Sequence, residues 1–198
     1  MFAEEKECPD IIINENIKYK IYTIMACDNI TLKGILLDCS SSLGGIKKVW
    51  MTQYSDVESV TMDDTSQMIK SITLKSSKTW SPFEFRRGTS SMTSTLNVDE
   101  STGTNYVSTE LNLIFTKMDT AKRIEVAGMA IGQLACVVLD SNGHFWFLGK
   151  DDYVSSSAGT GQTGTAKGDQ NAYNITLSTE SESYPYEIDP TFAAETFN

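Results

Sequence analysis

The stretch that decides the fold is residues 92–115, MTSTLNVDESTGTNYVSTELNLIF. On both sides of its centre, apolar residues alternate with Ser, Thr and Asn, which is the period-two pattern of a half-buried β-strand. The centre, Asp99–Asn105, contains Gly103 and other turn-forming residues, so the two strands are predicted to form a hairpin. Its seven residues exceed what a tight turn needs, and we therefore expect the hairpin tip to project.

Similar alternation occurs through most of the chain, separated by short turns of Ser, Thr and Gly. It predicts further strands at 30–37, 46–54, 68–74, 83–87, 134–139, 144–148, 153–155, 173–178 and 184–188. The Asn-Gly pair that ends Asp140–Gly143 is a strong hairpin signal between two of these strands. Residues 55–67 are acidic and hold only short apolar pairs, which indicates a loop or a long hairpin extension.

A single segment, Asp119–Met129, has the spacing of an amphipathic helix. Asp119 or Thr116 can cap its start, and Gly132 is predicted to end it. Its apolar stripe, which we expect to pack on a sheet, consists of Ala121, Ile124, Val126, Ala127 and Met129. The strands and this helix together predict a mainly β fold, an antiparallel β-sandwich or squashed barrel with one flanking α-helix.

The first residues of the chain differ in composition from the rest and predict a boundary after residue 24. Residues 1–24 are rich in Ile, Asn, Glu and Lys, and they precede a second methionine, Met25. Two interpretations stay open: an N-terminal arm, or an upstream extension if translation begins at Met25. The domain is expected to cover residues 25–189 and to be followed by a C-terminal tail, residues 190–198.

The net charge of -10 is unevenly distributed. Residues 25–150 hold 12 basic and 13 acidic residues, whereas residues 151–198 hold one basic residue and eight acidic ones. Because phosphate binding requires clustered Lys and Arg, this balance argues against a protein that grips nucleic acid. The acidic end is either a solubilising tail or part of a surface along which nucleic acid passes without sticking.

Residues that could carry chemistry are sparse, and we expect no enzyme and no cofactor. Residues 159–164 match GxGxxG, but they lie in a Ser/Gly/Thr run, residues 155–169, which is predicted to be a flexible loop with no helix after it. The single histidine, His144, lies beside a hairpin turn and is predicted to be a surface or edge residue. The acidic pairs Asp63–Asp64, Asp99–Glu100 and Asp151–Asp152 are interpreted as solvated loop charge.

The four cysteines predict neither a metal site nor a dense disulfide framework, because they show no CxxC spacing. A bridge between Cys27 and Cys39 is conceivable, but buried free thiols are favoured, which fits assembly in a reducing cytoplasm. No apolar run approaches the roughly 20 residues that cross a bilayer, so membrane insertion is not expected.

Four segments carry a family resemblance. They are ITLKGILLDCSSSLGGIKKVW at 30–50, FRRGTSSMTSTLNVDESTGTNYVSTELNL at 85–113, TAKRIEVAGMAIGQL at 120–134 and LDSNGHFWFLGKDDYVSSSAGTGQTGTAKGDQNAYNITLS at 139–178. In the order and texture of these segments, residues 25–189 resemble the tail tube proteins, or related tail structural proteins, of bacteriophages. Residues 1–24 show no such resemblance.

The resemblance implies a subunit that forms hexameric rings, which stack into a hollow tube and conduct the genome during ejection. Inner sheets would join around each ring into one barrel, while projecting loops would clasp the next ring and other phage tail proteins. A negatively charged lumen would let DNA pass without binding. The expected location is the virion tail, assembled in the host cytoplasm.

Charged residues are the candidates for contacts between subunits. The basic cluster of Arg86 and Arg87 with Lys117, Lys122 and Arg123 is either a solvated face or a partner for acidic residues of a neighbouring copy. The full set of candidate contact residues is Asp63, Asp64, Arg86, Arg87, Asp99, Glu100, Lys122, Arg123, Glu180 and Glu182.

Two alternatives to a tube protein stay open. One is a virion ring that does not polymerise, such as a tail-completion or hub protein. The other is a β-sandwich module that binds glycans through Trp50, Trp80 and Trp146, although their positions in or beside apolar strands favour core packing.

Overall fold

The computed structural model of the chain describes residues 34–37, 39–63 and 65–197. The chain divides into two units, Met1–Ser40 and Ser41–Asn198. In the first unit, residues 34–37 are exposed and do not form a strand, so the strand predicted at 30–37 is wrong there. Residues 30–33 of that prediction, and the boundary predicted after residue 24, lie outside the described residues.

The second unit contains all of the strands and helices among the described residues. The strands are β1 Ile46–Gln53, β2 Val57–Met62, β3 Ile69–Leu74, β4 Ser81–Glu84, β5 Ser91–Asp99, β6 Thr104–Thr116, β7 Leu134–Asp140, β8 Phe145–Leu148, β9 Ser155–Gln162, β10 Ala172–Ser181 and β11 Tyr186–Glu187. The α-helices are α1 Thr120–Ile131 and α2 Pro190–Thr196, and a short 3-10 helix covers Tyr54–Asp56.

The strands form three sheets, and all of their strand-to-strand ladders are antiparallel. A five-stranded sheet has the order β11-β8-β7-β1-β4, a four-stranded sheet has the order β5-β6-β10-β9, and β2 pairs with β3 alone. The sheets do not close into a barrel, so of the two predicted architectures the β-sandwich is confirmed and the squashed barrel is wrong.

Strands β1 and β7 are buried on both faces, which shows that the five-stranded sheet is the middle layer. Val49 and Met51 pack into a core with Leu111 and Leu177 of the four-stranded sheet. Trp50, on the opposite face, belongs to a second core. That second core also contains side chains from the β2–β3 hairpin and the C-terminal segment, namely Ile69, Ile72, Ile188, Ala193 and Phe197. The domain is therefore a sandwich with a third, smaller layer on one side.

Helix α1 begins and ends where the sequence predicts, but its apolar stripe packs only in part. The side chain of Asp119 accepts a hydrogen bond from the backbone N–H of Lys122 at 2.8 Å, and Gly132 forms the C-terminal cap. Met129 is the one buried residue of the helix, whereas Ile124 and Ile131 are 58% and 90% exposed. The prediction that the whole stripe packs on a sheet is therefore wrong.

Two further predictions are corrected by the C-terminal half of the domain. The run at 155–169 does not form a flexible loop throughout, because Ser155–Gln162 is strand β9, paired along β10. The tail at 190–198 contains a second helix, α2, and Phe197 after it is 3% exposed. Asp189 caps α2 by accepting from the N–H of Thr191 at 2.8 Å, and Pro190 occupies its first turn.

The acidic segment at 55–67 is a hairpin extension, which was one of its two predicted structures. Strands β2 and β3 pair from Val57–Leu74 to Met62–Ile69 and cover the outer face of the five-stranded sheet. None of the helices in the described part of the chain is long and apolar enough to span a membrane.

Candidate assembly surface

The outward face of the four-stranded sheet is mostly polar, with Tyr106 and Ile114 of β6 as its large apolar or aromatic members. Its strands alternate, so that Leu111 and Leu177 point into the core while their neighbours Asn112 and Thr176 point outward. The hydroxyl of Thr176 donates to Oδ1 of Asn112 across the strands at 2.8 Å. We call this surface the polar face; it includes Thr93, Thr95, Asn97, Ser108, Glu110, Asn112, Thr176, Ser178 and Glu180.

The charge of the polar face has one sign. Strands β5, β6, β9 and β10 contain no lysine or arginine, and their acidic residues are Asp99, Glu110 and Glu180. A surface whose charged groups are all negative attracts no phosphate, because it offers no cation to displace the counterions of a nucleic acid.

Neither edge of this sheet pairs with a further strand among the described residues, although helix α1 packs beside β9. Strand β5 pairs only with β6, and β9 pairs only with β10, over nine and eight residues respectively. Sheet edges are usually protected by proline, lysine or a covering element. Neither β5 nor β9 contains a proline or a lysine. The backbone groups along both edges are therefore suited to pairing with another strand.

The basic residues that the sequence singled out act differently from one another. The rings of Phe85 and Phe115 are 5.3 Å apart, which places the residue before Arg86 against the C-terminal part of β6. Lys122 is used within the chain, because its Nζ lies 2.9 Å from Oδ2 of Asp119 in the cap of α1. In the described part of the chain, Arg86, Arg87 and Arg123 form no ion pair, so their charges face solvent.

The acidic candidates do not form one site. Asp63 lies at the end of β2, where it accepts from the N–H of Thr65 at 3.1 Å and pairs with Lys70 at 3.4 Å. The hydrogen bond from Thr65 holds the pKa of Asp63 below its ordinary value. Asp64 is outside the described residues.

The other acidic candidates lie on the four-stranded sheet and after it. Asp99 ends β5, and the hydroxyl of Ser101 donates to its Oδ1 at 2.6 Å, which lowers the pKa of this carboxyl. Glu100 follows in the exposed turn. Glu180 is exposed near the end of β10, and Glu182 is exposed just beyond it.

His144 and Cys136, which could be reactive, are held by contacts that stabilise the fold. His144 is a half-exposed edge residue, as predicted, and its Nδ1 lies 2.5 Å from Oε1 of Glu187, an interaction that joins β8 to β11 and raises the pKa of His144. The thiol of Cys136 is fully buried, and loss of solvation raises its pKa, whereas Cys39 is an exposed free thiol. Both observed cysteines are therefore free, but only Cys136 fits the prediction of a buried thiol; Cys8 and Cys27 lie outside the described residues.

The GxGxxG match has no phosphate-binding geometry. Gly159 and Gly161 belong to β9, and the next element along the chain is strand β10 and not a helix. The described residues also contain no group of three or more His, Cys, Asp or Glu side chains that could hold a metal ion.

Tryptophan packing agrees with the prediction for Trp50, which is 5% exposed. Its ring lies 5.3 Å from that of Phe197, and Trp80 meets the same ring edge-on at 5.5 Å. The indole N–H of Trp146 donates to Oδ2 of Asp140 at 3.1 Å. Of the three tryptophans, Trp50 is buried, whereas Trp80 and Trp146 are half-buried.

Comparison of the chain with models of protein families, with curated proteins and with solved structures gives no match.

Sequence reasoning missed the two open edges and a groove at one end of the sandwich. The groove has a volume of about 500 Å³ and is bordered by Leu43, Ile46, Lys47, Phe85, Arg87 and Ser141. Its residues come from three separate segments of the chain, so no local sequence pattern predicts the groove. The open edge at β9 was hidden because a run of Ser and Gly has low strand propensity.

Proposed function

We propose that this chain is the repeating subunit of a bacteriophage tail tube, and that the polar face lines the lumen of its hexameric ring. The observation that carries the proposal is the four-stranded sheet, whose two edge strands pair with no further strand among the described residues and whose strands contain no lysine or arginine. A surface that conducts DNA must be continuous and must not bind phosphate. The polar face would meet both requirements once neighbouring copies pair along their edges.

The strand directions support ring closure. Since neighbours in the order β5-β6-β10-β9 are antiparallel, β5 and β9 run in opposite directions. In a ring, β9 of one copy would therefore meet β5 of the next copy as an antiparallel pair, and the pattern would continue without interruption. Closure would also remove every free edge of the sheet.

The size of such a ring is adequate for a channel. Six copies of a four-stranded sheet give about 24 strands, and barrels of about 16–18 strands already enclose an aqueous channel. At about 4.8 Å between strands, the circumference would be about 115 Å before strand tilt enlarges it.

A pair of neighbouring proline variants tests edge pairing. In β5, the N–H groups of successive residues point alternately toward β6 and away from it. Of the two variants Ser94→Pro and Thr95→Pro, one therefore loses a hydrogen bond to β6, and the other loses only a donor that points away from the sheet. Thermal denaturation identifies the variant that keeps the fold intact. Negative-stain electron microscopy and light scattering then report whether that variant still assembles.

We expect the wild-type chain to form rings and tubes and the stable proline variant to remain unassembled. Closed rings without tubes would favour a tail-completion or hub protein. A wild-type chain that stays monomeric and shows a tryptophan fluorescence shift with glycans would contradict the proposal and favour the glycan-binding module.

A further inference from the structure

The β5–β6 hairpin extends beyond the rest of its sheet. Strand β10 stops opposite Val107, whereas β5 pairs with β6 as far as Asp99. The hairpin therefore overhangs by three residues of β6, or about 10 Å. Leu96 and Val98 point to the core side of the sheet, yet here they are 46% and 61% exposed. We call residues Leu96–Tyr106 the hairpin tip.

The hairpin tip is acidic and ordered by its own hydrogen bonds. Asp99 and Glu100 lie at its end, and residues 91–116 contain no lysine or arginine. Oδ1 of Asp99 accepts from both the N–H and the hydroxyl of Ser101, at 2.8 and 2.6 Å. A tip that is ordered before it meets a partner loses less conformational entropy on binding.

The groove at one end of the sandwich has the complementary character. Its walls are apolar, formed by Leu43, Ile46 and Phe85, and Leu43 is 56% exposed. Lys47 and Arg87 border it, and neither forms an ion pair in the described part of the chain. We call this surface the basic groove; its lining contains no acidic residue.

The hairpin tip and the basic groove lie at opposite ends of β5. Gly88 lines the groove, and a Cβ atom on Gly45 would be 3.9 Å from the carbonyl oxygen of Ser90, so β5 starts beside the groove. From Ser91, the strand runs eight residue steps to Asp99, a distance of about 26 Å. A tip therefore cannot reach the groove of its own chain.

We propose that the hairpin tip of one copy docks into the basic groove of a second copy. Its exposed Leu96 and Val98 would cover the apolar walls, and its two carboxylates would face Lys47 and Arg87. The contact joins two different surfaces at opposite ends of the subunit, so it is head-to-tail, and it stays open when successive copies are displaced along the strand direction. Repeated contacts of this kind build a row of unlimited length.

In the proposed tube, this contact is the one that stacks one ring on the next, and in that form the inference rests on the proposed function. Edge pairing closes the ring sideways, whereas the hairpin tip and the basic groove point along the strands. The two kinds of contact can therefore be removed separately.

Charge reversal tests the docking between rings. Glu100→Arg and Arg87→Glu should each leave rings intact but reduce the fraction of stacked rings about tenfold, and combining both changes should restore stacking. Lys75→Glu, an exposed lysine outside both surfaces, is the matched control and should stack normally. Normal stacking in both single variants, or no recovery in the double variant, would overturn the proposal.

Cross-linking tests the same contact without requiring rings. Full-length chains with Cys8, Cys27 and Cys39 replaced by serine receive either Val98→Cys or Leu43→Cys and are mixed with a short bis-maleimide. The proposal predicts at least about ten times more cross-linked heterodimer than a control mixture in which Thr93→Cys replaces Val98→Cys. Equal yields would overturn the docking proposal, whereas a specific heterodimer without any rings would overturn only the tube.

Discussion

Removing the aromatic ring of Phe197 should destabilise the whole domain, although this residue is next to the end of the chain. Its side chain is 3% exposed and belongs to the second core. The ring lies 5.3 Å from that of Trp50, 5.5 Å from that of Trp80 and 6.0 Å from that of Phe145. Phe197→Ala would therefore leave a cavity between helix α2 and the five-stranded sheet.

The expected cost is large because both the transfer of the ring and the remaining cavity contribute. Truncating a buried phenylalanine to alanine lowers the free energy of unfolding by about 3–5 kcal/mol. For a domain of this size, each kcal/mol shifts the melting temperature by about 2–4 °C, so we expect a decrease of about 6–20 °C.

Urea denaturation followed by tryptophan fluorescence measures the change, since two tryptophans contact this ring. Phe192→Ala is the matched control: it makes the same truncation inside α2, at a half-buried position whose ring lies 6.3 Å from that of Phe197. The control should cost clearly less. A loss below about 1 kcal/mol for Phe197→Ala, or an equal loss for both variants, would refute the assignment of the C-terminal segment to the core.

Three further predictions concern single positions. Gly161→Ala should cost up to about 1 kcal/mol, because its Cβ would lie 3.1 Å from the Tyr173 ring and 3.3 Å from Cε of Met118, so that these side chains must shift slightly, whereas Gly168→Ala, with nothing within 4 Å, should be neutral in the same denaturation assay. The pKa of His144 lies above its ordinary value of 6.5, so its interaction with Glu187 stabilises the fold below pH 6.5, and this stabilisation is lost as the pH rises through the raised pKa. In the Glu187→Gln variant, NMR titration should give a pKa of His144 closer to 6.5, and an unchanged pKa would contradict the pairing. The buried thiol of Cys136 should react with iodoacetamide only after unfolding, and modification in the native state, detected by mass spectrometry, would refute its burial.

Much of the sandwich can be predicted because its strands have clear alternation and clear turns. The pattern of residues 92–115 corresponds to β5 and β6, and the Asn-Gly turn at 140–143 joins β7 to β8. The cap at Asp119 follows from the affinity of a carboxylate for free N–H groups at a helix start. These signals are local, so a single sequence contains them in full.

The elements that were missed depend on distant partners. Strand β9 forms from Ser and Gly residues because β10 supplies its hydrogen bonds, and at Gly161 a Cβ atom would lie only 3.1 Å from the Tyr173 ring. Helix α2 is too short for its periodicity to be recognised, although Asp189 followed by Pro190 is a helix-start signal.

The candidate contact residues were chosen for their charge, and the sequence did not show where each of them lies in the folded domain. The sequence could not reveal that Lys122 forms an ion pair with Asp119, three residues earlier. Nor could it reveal the polar face, since which polar side chains share one surface depends on the register of four strands. The projecting tip that contains Asp99 and Glu100, in contrast, was predicted, and β5 and β6 do extend beyond β10.

Electron cryo-microscopy of the assembly formed by the full chain should decide whether this protein builds a tail tube. We expect a hollow, six-fold ring in which β9 of each copy pairs with β5 of the next, and in which the polar face surrounds the lumen. An assembly with a lumen lined by another surface, or with β5 and β9 left unpaired, would contradict this proposal.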